Sequence, residues 1–72
     1  YVDPKSRFQE EAQSRTSTTP GYKVLEETGP DHNKIFRIGA YLGKVLIAEG
    51  AGSSKQEAQV DAAAKALEAK GW

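Results

Sequence analysis

The sequence predicts an α+β fold in which two helices pack on one face of a three-stranded antiparallel sheet, in the order αβββα. Three observations predict it: an Asp-Pro helix start, three alternating apolar segments joined by short turns, and a final alanine-rich segment. Short turns connect neighbouring antiparallel strands. Because each helix needs an apolar surface to cover and one sheet is available, both helices are expected on the same side of that sheet.

The first helix is predicted over residues 4–15. Asp3 is a favoured N-cap, and Pro4 is favoured at the first helical position. Phe8 and Ala12 lie four residues apart and therefore form the inner stripe of this helix. A threonine-rich loop that ends in Pro-Gly stops it. Four polar residues lie largely to one side of the stripe: Ser6, Gln9, Glu10 and Gln13.

Three strands are predicted over residues 22–27, 35–42 and 45–49. The segment 28–33 is rich in turn-forming residues, and Gly43-Lys44 makes a tight turn between the second and third strands. Alternation along the second strand separates an inward from an outward face. Its inward residues are Phe36, Ile38, Ala40 and Leu42.

The last helix is predicted over residues 54–70, and Gly71 ends it, which leaves Trp72 as a tail. Ser54 and Glu57 fit a capping box, which satisfies backbone N–H groups at a helix start. The inner stripe is mostly alanine, which lets the helix approach the sheet closely. Its members are Ala58, Ala62, Ala63, Ala66 and Leu67.

The segment between the third strand and the last helix predicts a phosphate-binding site. Gly50 and Gly52 are expected in a turn, where glycine lets the backbone come close to a ligand. A helix N-terminus exposes unpaired N–H groups and the positive end of the helix dipole. Ser53 and Ser54 add hydroxyls at this helix start, and Lys55 adds a full charge, a combination suited to phosphate.

Length and composition limit the class of protein and the kinds of site that the chain can form. Seventy-two residues make one domain, and a chain of this size buries only about 60% of its unfolded surface. The absence of cysteine excludes disulfides and thiolate metal sites, and a single histidine makes metal ligation improbable. No apolar run is long enough to span a membrane, so we expect a cytoplasmic protein with no membrane partner. Ten basic and ten acidic residues give zero net charge, so any binding of nucleic acid depends on where the charges lie.

Several motifs occur together and in order along the chain. They are Gly29-Pro30-Asp31-His32, Phe36-x-Ile38-x-Ala40, Gly50-x-Gly52-x-Ser54-Lys55-x-x-Ala58 and Ala62-Ala63-x-x-Ala66-Leu67. This arrangement resembles the double-stranded RNA-binding domain over essentially the whole chain. The opening at 3–10, the segment Tyr22-Lys23-Val24 and the Gly-Pro-Asp-His turn are also similar to the C-terminal RNA-binding domain of bacterial ribonuclease III.

The resemblance implies three regions that contact duplex RNA by its shape, through minor-groove 2′-hydroxyls and through phosphates. In the first region, on the first helix, Ser6, Gln9, Glu10 and Gln13 match minor-groove positions. In the second, the turn that carries Pro30, Asp31 and His32 reaches another minor groove. In the third, the start of the last helix binds phosphate through Ser53, Ser54, Lys55, Gln56 and Gln59.

The chain departs from the family pattern in its third region. Gln56 and Gln59 stand where lysine or arginine is common, so fewer counterions are released on binding. We therefore expect weak binding by the isolated domain. Each region also has a plainer alternative: a solvated helix face, a histidine that stabilises its turn, and a simple helix cap.

No set of residues predicts an active site, and we expect no cofactor for this chain. The resemblance implies that this chain is the substrate-targeting domain of a longer parent protein. The nuclease domain of that parent, with its Mg²⁺, is not in this sequence. The resemblance also implies that the parent can form a homodimer through the nuclease domain. The expected partner is double-stranded RNA, without sequence-specific DNA binding. The alternative function is a protein-interaction module of the same fold, favoured by the zero net charge and the missing basic residues.

Overall fold

A computed structural model describes residues 3–72 and confirms the α+β arrangement. The elements are α1 (Pro4–Thr16), β1 (Pro20–Thr28), β2 (Ile35–Leu42), β3 (Val45–Gly52) and α2 (Lys55–Lys70). The three strands form one antiparallel sheet in the order β1-β2-β3. No helix within residues 3–72 has the length and apolar character needed to cross a membrane.

The core lies between the sheet and the two helices. Phe8 of α1 and Ile38 of β2 are its largest fully buried side chains. The helix α2 lies over β2 and β3, whereas α1 packs mainly against α2 and touches the sheet little. The remaining buried hydrophobic residues are all alanines: Ala12, Ala40, Ala58, Ala62, Ala63 and Ala66.

The glycines before α2 serve packing, which corrects the expectation of a glycine-rich turn. The strand β3 extends to Gly52, three residues beyond the predicted end, so Gly50 and Gly52 both lie within it. A Cβ atom at Gly50 would stand 2.1 Å from the backbone nitrogen of Ala62, and one at Gly52 would stand 2.7 Å from that of Ala58. These two glycines therefore let α2 lie directly on β3, and the space that they leave is filled by the helix.

Each outer strand carries one extra residue. Leu25 is inserted in β1 where the pairing with β2 shifts between Val24 and Glu26, and Ile47 is inserted in β3 where the pairing shifts. Such bulges bend a strand and increase its twist. Ile47 consequently packs against the core, on the face that the helices cover.

Trp72 is part of the packed structure, which corrects its assignment as a tail. Its ring lies 6.0 Å from the ring of Phe8, between centroids, and it packs against the core cluster. The Arg15 guanidinium and the Lys70 ammonium lie 5.6 Å and 5.4 Å from the same ring. Arg7 also donates a hydrogen bond to the Trp72 backbone oxygen. This residue therefore ties the end of α2 to α1.

Candidate nucleic-acid interface

The polar face of α1 forms the first region. Asp3 caps the helix by accepting a hydrogen bond from the Ser6 backbone N–H at 3.3 Å. The Gln13 amide nitrogen donates to Thr19 Oγ1 at 2.8 Å, which leaves its oxygen available as an acceptor. Glu10 makes no ion pair within residues 3–72. Four exposed side chains line this shallow groove: Ser6, Gln9, Glu10 and Gln13.

The turn between β1 and β2 forms the second region and contains a short 3₁₀ helix that the sequence did not predict. This helix covers Asp31–Asn33, and the Asn33 N–H bonds the Pro30 carbonyl at 2.9 Å. Gly29 precedes it with φ +90°, a backbone conformation that favours glycine. His32 is exposed and makes no side-chain hydrogen bond to another described residue. The turn therefore holds its shape without His32, whose imidazole remains available to a ligand.

The start of α2 forms the third region, and its polar side chains hydrogen-bond to one another and to the backbone of the same segment. Ser54 Oγ accepts from the Glu57 N–H at 3.1 Å, which confirms Ser54 as the N-cap. The Glu57 carboxylate, however, accepts from Ser53 Oγ at 3.0 Å. The Ser53 hydroxyl proton is thereby committed within the protein, whereas that of Ser54 stays available. Lys55 and Gln56 follow, exposed and in the first turn.

The first and third regions meet in a cleft of about 260 Å³ between α1, the start of β1 and α2. Lys5 Nζ donates to Gln59 Oε1 at 2.8 Å across this junction, and it lies 5.6 Å above the Tyr22 ring. Burial, followed by the nearby Asp3 carboxylate, raises the pKa of Tyr22 above its ordinary value of 10.0. Ser6, Gln9 and Gln56 also line the cleft. Predicted contacts from both helices therefore share one surface.

Some of the charged side chains are ion-paired and others are not. On the outer face of the sheet, Arg37 pairs with Glu26 at 3.2 Å and with Glu49 at 2.8 Å. Lys5 and Lys55, beside the two helix regions, make no ion pair with another described residue. Each helix region therefore has beside it a cation without a described ion-pair partner, and Glu10 and Glu57 in the same regions are likewise outside any described ion pair. Within residues 3–72, no three His, Asp or Glu side chains gather as a metal site.

Comparison with known proteins identifies the family. The sequence model described as "Double-stranded RNA binding motif" matches residues 4–70. The chain belongs to the double-stranded RNA-binding domain family. Its fold also agrees with a solved Dicer from Pichia stipitis, with a TM-score of 0.73 and 27% identity over 92% of this chain and 32% of that one.

The RNA-binding domain has relatives among bacterial ribonucleases. It is 44% identical to Ribonuclease 3 of Borreliella afzelii, over 96% of this chain and 28% of the relative. It is 46% identical to Ribonuclease 3 of Moorella thermoacetica, over 93% of this chain and 29% of the relative. The chain therefore spans less than a third of the length of these relatives. The resemblance to the RNA-binding domain of ribonuclease III is confirmed.

Lys5 lies outside the three regions predicted from the sequence, and its contact with Gln59 was not predicted. It lies 54 residues from its partner Gln59, so no local pattern reveals the contact. The available signal was weaker: a lysine one residue before the predicted minor-groove positions, on a helix expected to share a sheet face with α2. Only the packing of α1 on α2 brings the two side chains together.

Proposed function

We propose that this domain binds double-stranded RNA by its shape, as the substrate-targeting domain of a ribonuclease III. One observation carries the proposal: Ser6 and Gln9 of α1 and Gln56 of α2 line one cleft, while the turn after β1 lies at the far end of that strand. Tyr22, in the cleft, and Thr28 are six positions apart along β1, which corresponds to about 20 Å. The two surfaces therefore lie at opposite ends of β1, as contact with two separate minor grooves of one duplex requires.

The α1 face would distinguish RNA from DNA. A 2′-hydroxyl both donates and accepts hydrogen bonds, and the minor groove of duplex RNA is wide and shallow. The Glu10 carboxylate and the free Gln13 oxygen are acceptors for hydroxyl protons. DNA lacks the 2′-hydroxyl and would meet an unpaired carboxylate near its phosphates. Low affinity for duplex DNA follows from this chemistry.

The α2 start would bind phosphate across the intervening major groove. Lys55 supplies a charge that no described carboxylate neutralises, and the Ser54 hydroxyl can donate. Glu57 opposes this attraction because its carboxylate lies in the same first turn, bonded to Ser53. The result is weak electrostatic binding, in keeping with glutamines at 56 and 59.

Cleavage would belong to another part of the parent protein. The relatives named Ribonuclease 3 extend well beyond the region matched here. Two-metal hydrolysis of RNA needs a cluster of carboxylates to hold the ions. We assign Mg²⁺ to a separate nuclease domain, and to this chain the affinity and placement of substrate.

Direct binding tests this proposal. Affinity would be measured for a duplex RNA of about 20 base pairs and for the matching DNA, each at two salt concentrations. We expect RNA binding that weakens with salt, and much weaker DNA binding. Equal affinity for the two duplexes would contradict recognition of 2′-hydroxyls, and no RNA binding at low salt would overturn the function.

A protein-interaction role is favoured by one observation on the outer sheet face. Leu25, Tyr41 and Leu46 converge there over Gly39, and Leu46 is 43% exposed. Exposed apolar groups of this kind are typical of protein contacts. Under this alternative, Leu46→Lys would abolish binding of the protein partner. The α1 face would then make no contribution to RNA affinity.

A further inference from the structure

The contact between Lys5 and Gln59 fixes the orientation of a side-chain amide. Lys5 Nζ lies 2.8 Å from Gln59 Oε1. An ammonium group can only donate hydrogen bonds, so the amide must turn its oxygen toward Lys5. The NH₂ group of Gln59 then points away from Lys5, and it makes no hydrogen bond to another described residue. Lys5 therefore makes Gln59 present two donors.

Lys5 also keeps its charge available. Within residues 3–72, the ion-paired cations are Arg15, Lys34, Arg37 and Lys65, and Lys5 is not among them. Its ammonium is held by the Tyr22 ring and Gln59, which restrict its motion without neutralising it. The Asp3 carboxylate lines the same cleft but accepts the Ser6 N–H as the cap of α1.

Three polar side chains around this pair can donate hydrogen bonds. Ser6 and Gln9 of α1 and Gln56 of α2 line the cleft with Lys5. Gln56 lies in the first turn of α2, where the helix dipole favours an anion. An anion in the cleft would thus meet the Lys5 ammonium and donors from two helices, opposed by the Asp3 carboxylate that caps α1.

We propose that Lys5 and Gln59 form a phosphate-binding subsite at the junction of α1 and α2, in which Lys5 supplies the charge and Gln59 the oriented NH₂ group. The ligand is one backbone phosphate of double-stranded RNA, so the inference rests on the proposed function. The subsite lies between the minor-groove face of α1 and the start of α2. It places the Lys5 cation beside Gln59, a position where the family commonly carries lysine or arginine.

The first test is Lys5→Met, which removes the charge and keeps an apolar stem against Tyr22. We expect affinity for duplex RNA to fall about tenfold. The slope of log K against log salt should fall by about one, because one phosphate contact is lost. Lys44→Met is the matched control: it removes the same charge from the turn between β2 and β3, outside the three regions. It should change neither quantity appreciably.

A charge exchange separates binding from structure. The double variant Lys5→Gln, Gln59→Lys keeps one ammonium and one amide at the junction with their positions swapped. Because the cation returns, we expect the salt slope of the unmodified domain and most of its affinity. Circular dichroism and thermal melting would establish that each variant is folded, and the exchange provides a folded test should Lys5→Met unfold.

Two results would overturn the subsite alone: Lys5→Met behaving like Lys44→Met, or a loss of affinity in Lys5→Met with an unchanged salt slope. A folded exchange variant that fails to recover the slope would also overturn it. In each case the unmodified domain still binds duplex RNA. Failure of the unmodified domain to bind duplex RNA would instead remove the proposed function and the subsite together.

Discussion

The two helices are attached to the rest of the molecule in different ways. Helix α2 lies on β3 through backbone contacts at Gly50 and Gly52, so its position is set by main-chain geometry. Helix α1 is held mainly by side chains, including the contact of Phe8 with Trp72 and that of Lys5 with Gln59. A change of one side chain can therefore loosen α1, whereas α2 moves only if the sheet contact itself is broken.

Gly50→Ala should have the largest effect on the attachment of α2 to the sheet. The new Cβ would stand 2.1 Å from the Ala62 nitrogen and 2.6 Å from its Cα, so α2 must move off β3. Overpacking of this kind costs about 3 kcal/mol, which is a large share of the stability of a small domain. The free energy of unfolding, from urea titration followed by circular dichroism, would measure it.

Gly21→Ala is the matched control for that measurement. An added Cβ at Gly21 meets no atom within 4 Å, and the residue does not have a positive φ. Its effect should stay within about 0.5 kcal/mol. Equal losses for the two variants would show that glycine flexibility, and not close approach of α2, explains the result.

Trp72→Ala should loosen α1 with a smaller loss of stability. It removes the ring from Phe8 and from two cations, and the ring is only partly buried. We expect a loss of about 2 kcal/mol. Trp72→Phe, which keeps an aromatic contact with Phe8, should recover more than half of it in the same titration. A wholly neutral Trp72→Ala would restore the view of this residue as a tail.

Lys55→Glu compares the helices by their contribution to RNA binding. Reversal of the charge at the start of α2 should weaken binding about tenfold and flatten its salt dependence. Lys44→Glu makes the same change of net charge in the β2–β3 turn and should have little effect. Filter binding at several salt concentrations would measure both. An unchanged affinity in Lys55→Glu would refute the phosphate site at α2.

Glu10→Ala makes the corresponding change on α1. It removes a hydrogen-bond acceptor for a 2′-hydroxyl and no cation, so affinity should fall about fivefold while the salt slope stays the same. Glu68→Ala removes the same charge from an exposed position near the end of α2. If Glu10→Ala and Glu68→Ala instead strengthen RNA binding equally, Glu10 only repels phosphate.

The smallest expected effect concerns Asp61, which joins α2 to β3 by a side chain. Its carboxylate accepts the Ala51 N–H at 2.9 Å and pairs with Lys65 at 3.0 Å, and these contacts hold its pKa below the ordinary value of 3.8. The charged form therefore stabilises the fold above about pH 4, and this contribution is lost as the pH falls through the lowered pKa. Asp61→Asn should remove part of the acid sensitivity in melting scans between pH 2 and 6. An identical acid profile would contradict the assignment.

Local signals in the sequence predicted most of the fold. Asp3 and Pro4 located the start of α1, and the alternation along 35–42 located β2, because caps and side-chain period act over a few residues. The end of β3 was missed because Gly50 and Gly52 look like turn residues until α2 is placed on them. The contact of Lys5 with Gln59 was missed for the same reason: it arises from helix packing alone.

The two bulges also bear on how copies of this domain behave at high concentration. An open sheet of three strands has two free edges, and a regular edge offers its N–H and C=O groups to a strand of another molecule. Leu25 in β1 and Ile47 in β3 interrupt that regularity on both edges. Val24 and Val45, both exposed and apolar, lie near these interruptions. The fold thus limits the growth of intermolecular sheet at the edges where apolar exposure would otherwise favour it.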